Sequence, residues 1–170
     1  MGDAPYAAAI EIRPAVPEDA DGIARTFLES AAYHAELDPE RYWIPAITIS
    51  SRYRDGLQHP SHAGGKDVTF VAELSGEIVG FLAARLEQSP DAMHREMIYC
   101  HITEIAVRRE RWNQGIGGRL LQAAEDWGQR LGAKFASLEY LAANTRASLF
   151  YQKHMGYRVV SSIAIKRLSR

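Results

Sequence analysis

Cysteine is almost absent from this sequence of 170 residues, in which Cys100 is the single one. A lone cysteine excludes disulfides within the chain, and with them the small disulfide-stapled secreted folds, and it suits a reducing compartment. No apolar run approaches the roughly 20 residues that a membrane-spanning helix needs. The first residues lack the basic flank and apolar stretch of a signal peptide. We therefore expect a cytoplasmic protein with no membrane partner.

An excess of charge of either sign is missing as well. The chain carries 20 Lys and Arg against 21 Asp and Glu, so it lacks the basic excess that marks a nucleic-acid-binding protein. His59 and His62 share a loop rich in Pro and Gly, but no second pair of ligands accompanies them, so no metal site is predicted. The length and the 46% hydrophobic content predict one domain over residues 1–170.

Strand-like and helix-like apolar periodicities alternate along the chain, which predicts an α/β fold, or α+β with a mixed sheet. The predicted strands are residues 9–13, 68–74, 77–86, 97–107 and 134–140, followed by residues 157–168 as one long strand or a cramped hairpin. The predicted helices are residues 17–34, 116–131 and 145–155. Residues 35–66 are predicted to be irregular or weakly helical.

The segment Gln114-Gly115-Ile116-Gly117-Gly118-Arg119 joins the strand that ends at Val107 to the next helix. The first-turn amides of a helix have no intrahelical partners, and the helix dipole adds partial positive charge there. Glycine lets a ligand approach the backbone closely because it has no Cβ. The segment therefore predicts a site for a phosphate or pyrophosphate.

Three kinds of phosphate loop, and a helix start that binds no ligand, compete for this segment. A P-loop needs Lys followed by Ser or Thr after its last glycine, whereas Gly118 is followed by Arg119 and Leu120. A dinucleotide fingerprint needs a small residue at Leu120 and an acidic residue after the next strand, for which Glu139 is the nearest candidate. Gly115 and Gly117 fit the pyrophosphate loop of coenzyme A sites.

A second motif follows downstream, in residues 144–157. It resembles the second signature of the GNAT superfamily of acyl-CoA-dependent N-acetyltransferases, with Asn144, Ala147, Tyr151 and Gly156-Tyr157 at the signature's spacing. Residues 12–15 and 17–20 resemble the family's start, so the likeness covers most of residues 10–160. It implies a GNAT-like fold, with a central mixed sheet of roughly six to seven strands flanked by about four helices.

The resemblance implies transfer of an acetyl group from acetyl-CoA to a primary amine, which we expect to belong to a small molecule. It implies that strand backbone near Ile105, Ala106 and Val107 pairs with the pantetheine, as an added strand would. The remaining implied contacts with coenzyme A are Trp112, Asn113, Gln114, Gly115, Ile116, Gly117, Gly118, Asn144 and Tyr151. Trp112 departs from the family, which has Arg or Gln there, and Arg111 or Arg119 could supply the missing charge.

The resemblance also implies an acid and a base. Tyr151 matches the tyrosine that faces the sulfur of coenzyme A, and a phenol is protonated at neutral pH and can donate to a thiolate; the alternative is a core aromatic. Glu104 lies in an otherwise apolar run at about the place of the family's glutamate base; the alternative is an exposed strand residue. His101 and Glu139 are rival bases.

The resemblance implies that the acceptor site is built from the segment after the first helix and from the terminal strands. The candidate residues are Tyr33, His34, Tyr42 and His101, although the residues near the first helix equally suit a polar surface loop. A non-catalytic acyl-CoA-binding regulator, a protein N-acetyltransferase and another class of nucleotide-binding domain remain alternatives. The strand predicted at residues 157–168 would end the sheet as an open edge, which a two-fold partner would cover. We therefore expect a homodimer.

Overall fold

A computed structural model of the chain describes residues 9–45, 49–59, 66–89 and 93–168. The chain separates into two units, residues 1–139 and residues 140–170. The expectation of one domain over residues 1–170 stays a prediction.

The first unit is built on a mixed sheet of five strands among the described residues. The strands are β1 (Glu11–Pro14), β2 (Asp67–Leu74), β3 (Glu77–Gln88), β4 (Ile98–Val107) and β5 (Phe135–Leu138). They lie in chain order, with antiparallel neighbours from β1 to β4 and a parallel pair between β4 and β5. The predicted mixed-sheet class is confirmed, with slightly fewer strands than the six to seven expected.

Among the described residues, three α-helices belong to this unit and one to the second. They are α1 (Ala20–Leu37), α2 (Ile49–Gln58), α3 (Ile116–Arg130) and α4 (Thr145–Leu149). The helix α2 is regular where the sequence predicted irregular or weakly helical structure. Its apolar residues Ile49, Tyr53 and Leu57 recur every fourth position, so they share one helix face against the core. The surrounding prolines and glycines hid this spacing.

Helices cover the two faces of the sheet near the middle of β3. Phe81 is fully buried in a cluster with Ile23 of α1, against which Tyr53 of α2 also packs. The preceding residue, Gly80, is so close to Ile116 and Leu120 of α3 that an added Cβ would meet each at 3.3 Å. Because adjacent strand residues point to opposite faces, α1 and α2 cover one face and α3 the other.

The second unit begins with α4, which continues into one π-helical turn at Phe150–His154. Residues 157–168 form neither helix nor strand, so the predicted final strand is wrong. Their β-branched residues favour extended backbone. A strand exists only where its backbone pairs with another strand, however, and propensity alone does not supply that pairing.

Candidate active site

One edge of the strand β4 is paired with a neighbouring strand over only part of its length. It pairs with β3 from Ile98 to Val107, whereas β5 pairs with it only over Tyr99–Ile102. Beyond Ile102, none of the strands in the described residues pairs with β4 on the β5 side. Backbone amides and carbonyls at such an edge can pair with an extended ligand. The predicted pantetheine contacts Ile105, Ala106 and Val107 lie on this segment.

A β-bulge interrupts β4 at Thr103. Glu104 pairs with Ala83 and Ile102 with Ala84, which leaves Thr103 as the extra residue. A bulge re-aims the side chains that follow it. It places Glu104 on the face opposite to that of Ile102, together with Ala106, which belongs to the same buried cluster as Phe81. No sequence pattern indicated this bulge.

Glu104 is held by the helix α2. The Tyr53 hydroxyl donates a hydrogen bond of 2.7 Å to its Oε2, and the Arg52 guanidinium lies 3.9 Å from its Oε1. The Tyr53 ring packs against Phe27 and Phe81. Burial, together with the neighbouring carboxylate, raises the pKa of Tyr53 well above its ordinary value, so it stays a donor. Sequence reasoning missed this contact.

The rival bases have other surroundings. The Nδ1 atom of His101 lies 3.1 Å from the Ser137 hydroxyl on β5. Glu139 is exposed and follows β5 directly. Glu104 is therefore the base candidate that is both partly buried and fixed by a neighbouring helix.

The Gly-rich segment has the geometry of an anion site. A short turn at Arg109–Arg111 leads to Asn113 and Gly115, whose φ angles are 63° and 76°. The backbone then enters α3, where Arg119 N–H bonds back to Gly115 O at 3.2 Å. The amides of residues 116–118 precede it and have no acceptor within the helix. Gly115 suits the left-handed backbone that aims these amides outward.

Trp112 fastens this loop to the end of β4. Its indole Nε1 donates a hydrogen bond of 2.8 Å to the carbonyl oxygen of Val107. Its ring centroid lies 5.3 Å from that of Tyr33, and the Arg109 guanidinium carbon lies 5.5 Å from it. Trp112, at the position where the family has Arg or Gln, thus holds the loop to the end of β4 through this hydrogen bond. Arg119, one of the two residues proposed to supply the missing charge, is exposed on the first turn of α3.

The predicted acceptor residues of α1 lie at its C-terminal end. Tyr33 packs on Trp112 and is covered by Arg109, whose guanidinium carbon is 5.3 Å from its ring centroid. The Nδ1 atom of His34 lies 2.7 Å from the carbonyl oxygen of Ser30, and its ring centroid is 5.5 Å from that of Tyr42. Tyr33 therefore lies against the phosphate loop, and its role in acceptor binding stays a prediction.

In the second unit, Asn144 and Tyr151 are both buried. The Asn144 side chain accepts a hydrogen bond of 3.0 Å from Ala147 N–H and so caps α4, which was the structural alternative for this residue. Tyr151 lies in the π-helical turn, with its ring centroid 5.4 Å from that of Tyr140. Burial, with a smaller effect of Tyr140, raises the pKa of Tyr151 to about 12. The phenol is therefore protonated at neutral pH, as an acid must be.

Within the described ranges, no group of three or more His, Cys, Asp or Glu side chains could hold a metal ion. Within the part of the chain that the structure describes, the helices lack the length and hydropathy of a membrane span. The β4 edge offers backbone pairing, and the first-turn amides of α3 have no acceptor within the helix, so these groups suit the pantetheine and pyrophosphate of coenzyme A.

Comparison with known proteins shows the family of the chain. The sequence pattern of the acetyltransferase (GNAT) family matches residues 27–157, which is more than half of the chain. This chain belongs to the GNAT acetyltransferase family. The match includes β4, the Gly-rich segment, α3 and the signature with Asn144 and Tyr151.

Individual relatives show how far the likeness extends. An uncharacterised N-acetyltransferase of Archaeoglobus fulgidus is 29% identical over 148 residues, which is 84% of this chain and 89% of that protein. The catalytic subunit of the N-terminal acetyltransferase A complex of Arabidopsis thaliana is 30% identical over 92 residues, 53% of this chain and 45% of that protein. The solved structure of the aminoglycoside N-acetyltransferase AAC(6')-Iy with CoA has a TM-score of 0.70 at 16% identity, covering 97% and 98% of the two chains.

Proposed function

We propose that this GNAT acetyltransferase transfers the acetyl group of acetyl-CoA to a primary amine of a small molecule. The observation that carries the proposal is the open edge of β4, which leads into the free amides of α3 and bears the anchored carboxylate of Glu104. An extended pantetheine would lie on the edge, and the pyrophosphate would meet the amides of residues 116–118.

The chemistry assigns one proton to each of two side chains. The amine nitrogen attacks the thioester carbonyl carbon, so a C–N bond forms and the C–S bond breaks. Glu104 accepts the proton that the amine loses, and Tyr151 donates a proton to the departing thiolate. Tyr53 holds the Glu104 carboxylate in one orientation through its 2.7 Å hydrogen bond.

A small-molecule acceptor is supported by the likeness to an aminoglycoside acetyltransferase over nearly the whole of both chains. A protein N-terminus is the second candidate, supported by the similarity to the N-terminal acetyltransferase subunit, of which this chain covers less than half. A panel of aminoglycosides, polyamines and peptides with free N-termini separates them. Turnover of the peptides alone would reject the small-molecule acceptor, and no turnover with bound acetyl-CoA would favour a regulator.

The acid is tested by Tyr151→Phe, which removes only the donor oxygen. We expect turnover to fall by ~10²–10⁴-fold while the affinity for acetyl-CoA is kept. Tyr140→Phe is the matched control, because it removes a hydroxyl from the neighbouring ring, 5.4 Å away between centroids. Full activity of Tyr151→Phe would return this residue to a packing role.

The base is tested by Glu104→Gln and His101→Asn. We expect Glu104→Gln to flatten the acidic limb of the pH profile of kcat/KM, and His101→Asn to leave that limb in place. The opposite pattern would transfer the role to His101.

A further inference from the structure

The backbone groups of β4 that face its open edge follow from the way β4 pairs with β3. The N–H of Arg108 donates a hydrogen bond of 2.9 Å to the carbonyl oxygen of Val79. Opposite residues of an antiparallel ladder alternate between hydrogen-bonded and non-hydrogen-bonded pairs. The register is unbroken back to residue 105, so Ala106 bonds to β3, whereas Val107 and Ile105 do not. The N–H and C=O groups of Val107 and Ile105 therefore point toward the open edge.

Trp112 occupies one of these edge groups. Its indole N–H donates a hydrogen bond of 2.8 Å to the carbonyl oxygen of Val107. An extended ligand on this edge would then meet the N–H and C=O of Ile105 but only the N–H of Val107. Such a ligand must supply two acceptors and one donor. An acetylated pantetheine carries a thioester carbonyl and two amides, so one of its amide N–H groups would lack a partner on this segment.

The indole of Trp112 is held in turn by the C-terminal half of α1. Glu29, Tyr33 and Glu36 follow one another at spacings of four and three, so they lie on one face of that helix. The Tyr33 ring meets the Trp112 ring edge to face, with centroids 5.3 Å apart. The Arg109 guanidinium lies over both rings and donates to Glu36 at 2.9 Å. The backbone N–H of Arg109 donates to Glu29 at 3.2 Å.

These contacts differ in their exposure to solvent. The side chains of Arg109 and Glu36 are 56% and 57% exposed, so their ion pair contributes little to stability. Tyr33 and Trp112 are both half-buried, and their ring contact is therefore the main support of the indole.

We propose that Tyr33 is a positioning residue for acetyl-CoA, which acts by holding the Trp112 indole on the carbonyl oxygen of Val107. The held indole fixes the turn that leads into α3 before the ligand arrives, and a preordered site loses less entropy on binding. It also limits the pairing of the ligand on this edge to Ile105 and the N–H of Val107. The inference rests on the proposed function, because it assumes that acetyl-CoA binds along β4.

The restriction of the edge is tested by hydrogen exchange of the Trp112 indole N–H, followed by NMR. The signal is assigned through its loss in Trp112→Phe. We expect this N–H to exchange slowly in the free chain and to stay protected when coenzyme A saturates the protein. Faster exchange in the complex would overturn the restriction, because the ligand would then have taken the carbonyl oxygen of Val107.

The positioning role is tested by the dissociation constant of coenzyme A, measured by calorimetry. Trp112→Phe keeps an aromatic ring and removes the N–H, and we expect it to weaken binding by about 3–10-fold. Tyr33→Leu removes the supporting ring and should weaken binding by a similar factor. The double variant should be no weaker than either single one, because both changes act through the same hydrogen bond. The matched control is Tyr33→Phe, which keeps the ring and should bind within about 2-fold of the natural chain.

Steady-state kinetics separate this role from acceptor binding. Tyr33→Leu should raise the KM for acetyl-CoA by the same factor as the dissociation constant and should speed the exchange of the Trp112 indole N–H. A rise in the KM for the amine alone would make Tyr33 an acceptor residue and overturn the proposal. Trp112→Phe gives an independent test if Tyr33→Leu fails to fold.

The outcomes distinguish this inference from the proposed function. If the natural chain binds coenzyme A and Trp112→Phe binds it equally well or more tightly, the positioning role is wrong and the proposed function stands. If the natural chain does not bind coenzyme A, both are wrong. Weaker binding by Trp112→Phe and Tyr33→Leu, without additivity and with Tyr33→Phe unaffected, is the supporting result.

Discussion

The contact between Tyr53 and Glu104 gives the most informative perturbation of the first unit. Tyr53→Phe keeps the ring that packs on Phe27 and Phe81 and removes only the hydroxyl that donates to Glu104 at 2.7 Å. The change therefore isolates one hydrogen bond between the helix α2 and the strand β4.

The magnitude follows from the charge and the exposure of the carboxylate. A hydrogen bond to a charged group contributes about 1.5–3 kcal/mol to stability. The Glu104 side chain is 26% exposed, so solvent screening lowers this value, and we expect about 1–2 kcal/mol. Arg52 adds little, because it lies 3.9 Å away and its side chain is 69% exposed.

The assay is a double-mutant cycle in urea, with the natural chain, Tyr53→Phe, Glu104→Ala and the double variant. We expect the free energies of unfolding to show a coupling of about 1–2 kcal/mol between the two positions. Kinetics supply a second readout: if Tyr53 positions the base, Tyr53→Phe should lower kcat about 10-fold and leave the KM for acetyl-CoA unchanged.

A coupling below about 0.3 kcal/mol, which is the error of additivity, would refute the contact. A normal coupling with unchanged kcat would keep the contact but remove its part in the reaction.

Two further predictions concern the stability of the fold. In Gly128→Ala, the new Cβ would lie 2.5 Å from the Cys100 Cβ, so we expect urea unfolding to show a free energy of unfolding that is lower by about 1–3 kcal/mol. A second change, Cys100→Gly, should reduce this destabilisation, whereas Cys100→Ala, which keeps the Cβ, should not. Burial alone would raise the pKa of Asp19. The pKa is nevertheless lowered by hydrogen bonds from the Arg13 guanidinium at 2.7 and 2.8 Å, by a hydrogen bond from the backbone N–H of Val16 and by the positive charge of Arg13. The stability that this carboxylate contributes is therefore present above its unfolded pKa of about 3.9 and is lost as the pH falls through the folded pKa. The variant Asp19→Asn should lower the free energy of unfolding by about 1–3 kcal/mol at pH 7, and that free energy should depend less on acid pH than in the natural chain. An unchanged acid transition would rule out this contribution.

Local patterns explain which parts of the fold the sequence could predict. The alternation in β4, the glycines after it and the apolar stripe of α3 all act over a few residues, so strand, loop and helix were predicted together. The strand at residues 157–168 failed because pairing depends on a distant partner. The bulge at Thr103 was equally invisible, since it arises from the register between β3 and β4.

In the candidate site, too, residues within a local motif could be predicted, whereas contacts between distant residues could not. Tyr151, Asn144 and Gly115 could be chosen as candidates because a motif fixes their spacing. Tyr53 was not singled out, because its contact with Glu104 joins residues 51 positions apart. Trp112 stood out as a departure from the family, but only the structure shows that its indole binds the carbonyl of Val107.

Amide hydrogen exchange, followed residue by residue by NMR with and without acetyl-CoA, tests the central claim most directly. We predict that saturating acetyl-CoA slows exchange at Gly117, at Gly118 and at an amide within residues 105–107 that faces away from β3. The effect should disappear in Gly117→Val, whose side chain blocks approach to the first turn of α3. Protection confined to other parts of the chain, or equal protection in Gly117→Val, would contradict the assignment of the acetyl-CoA site to β4 and α3.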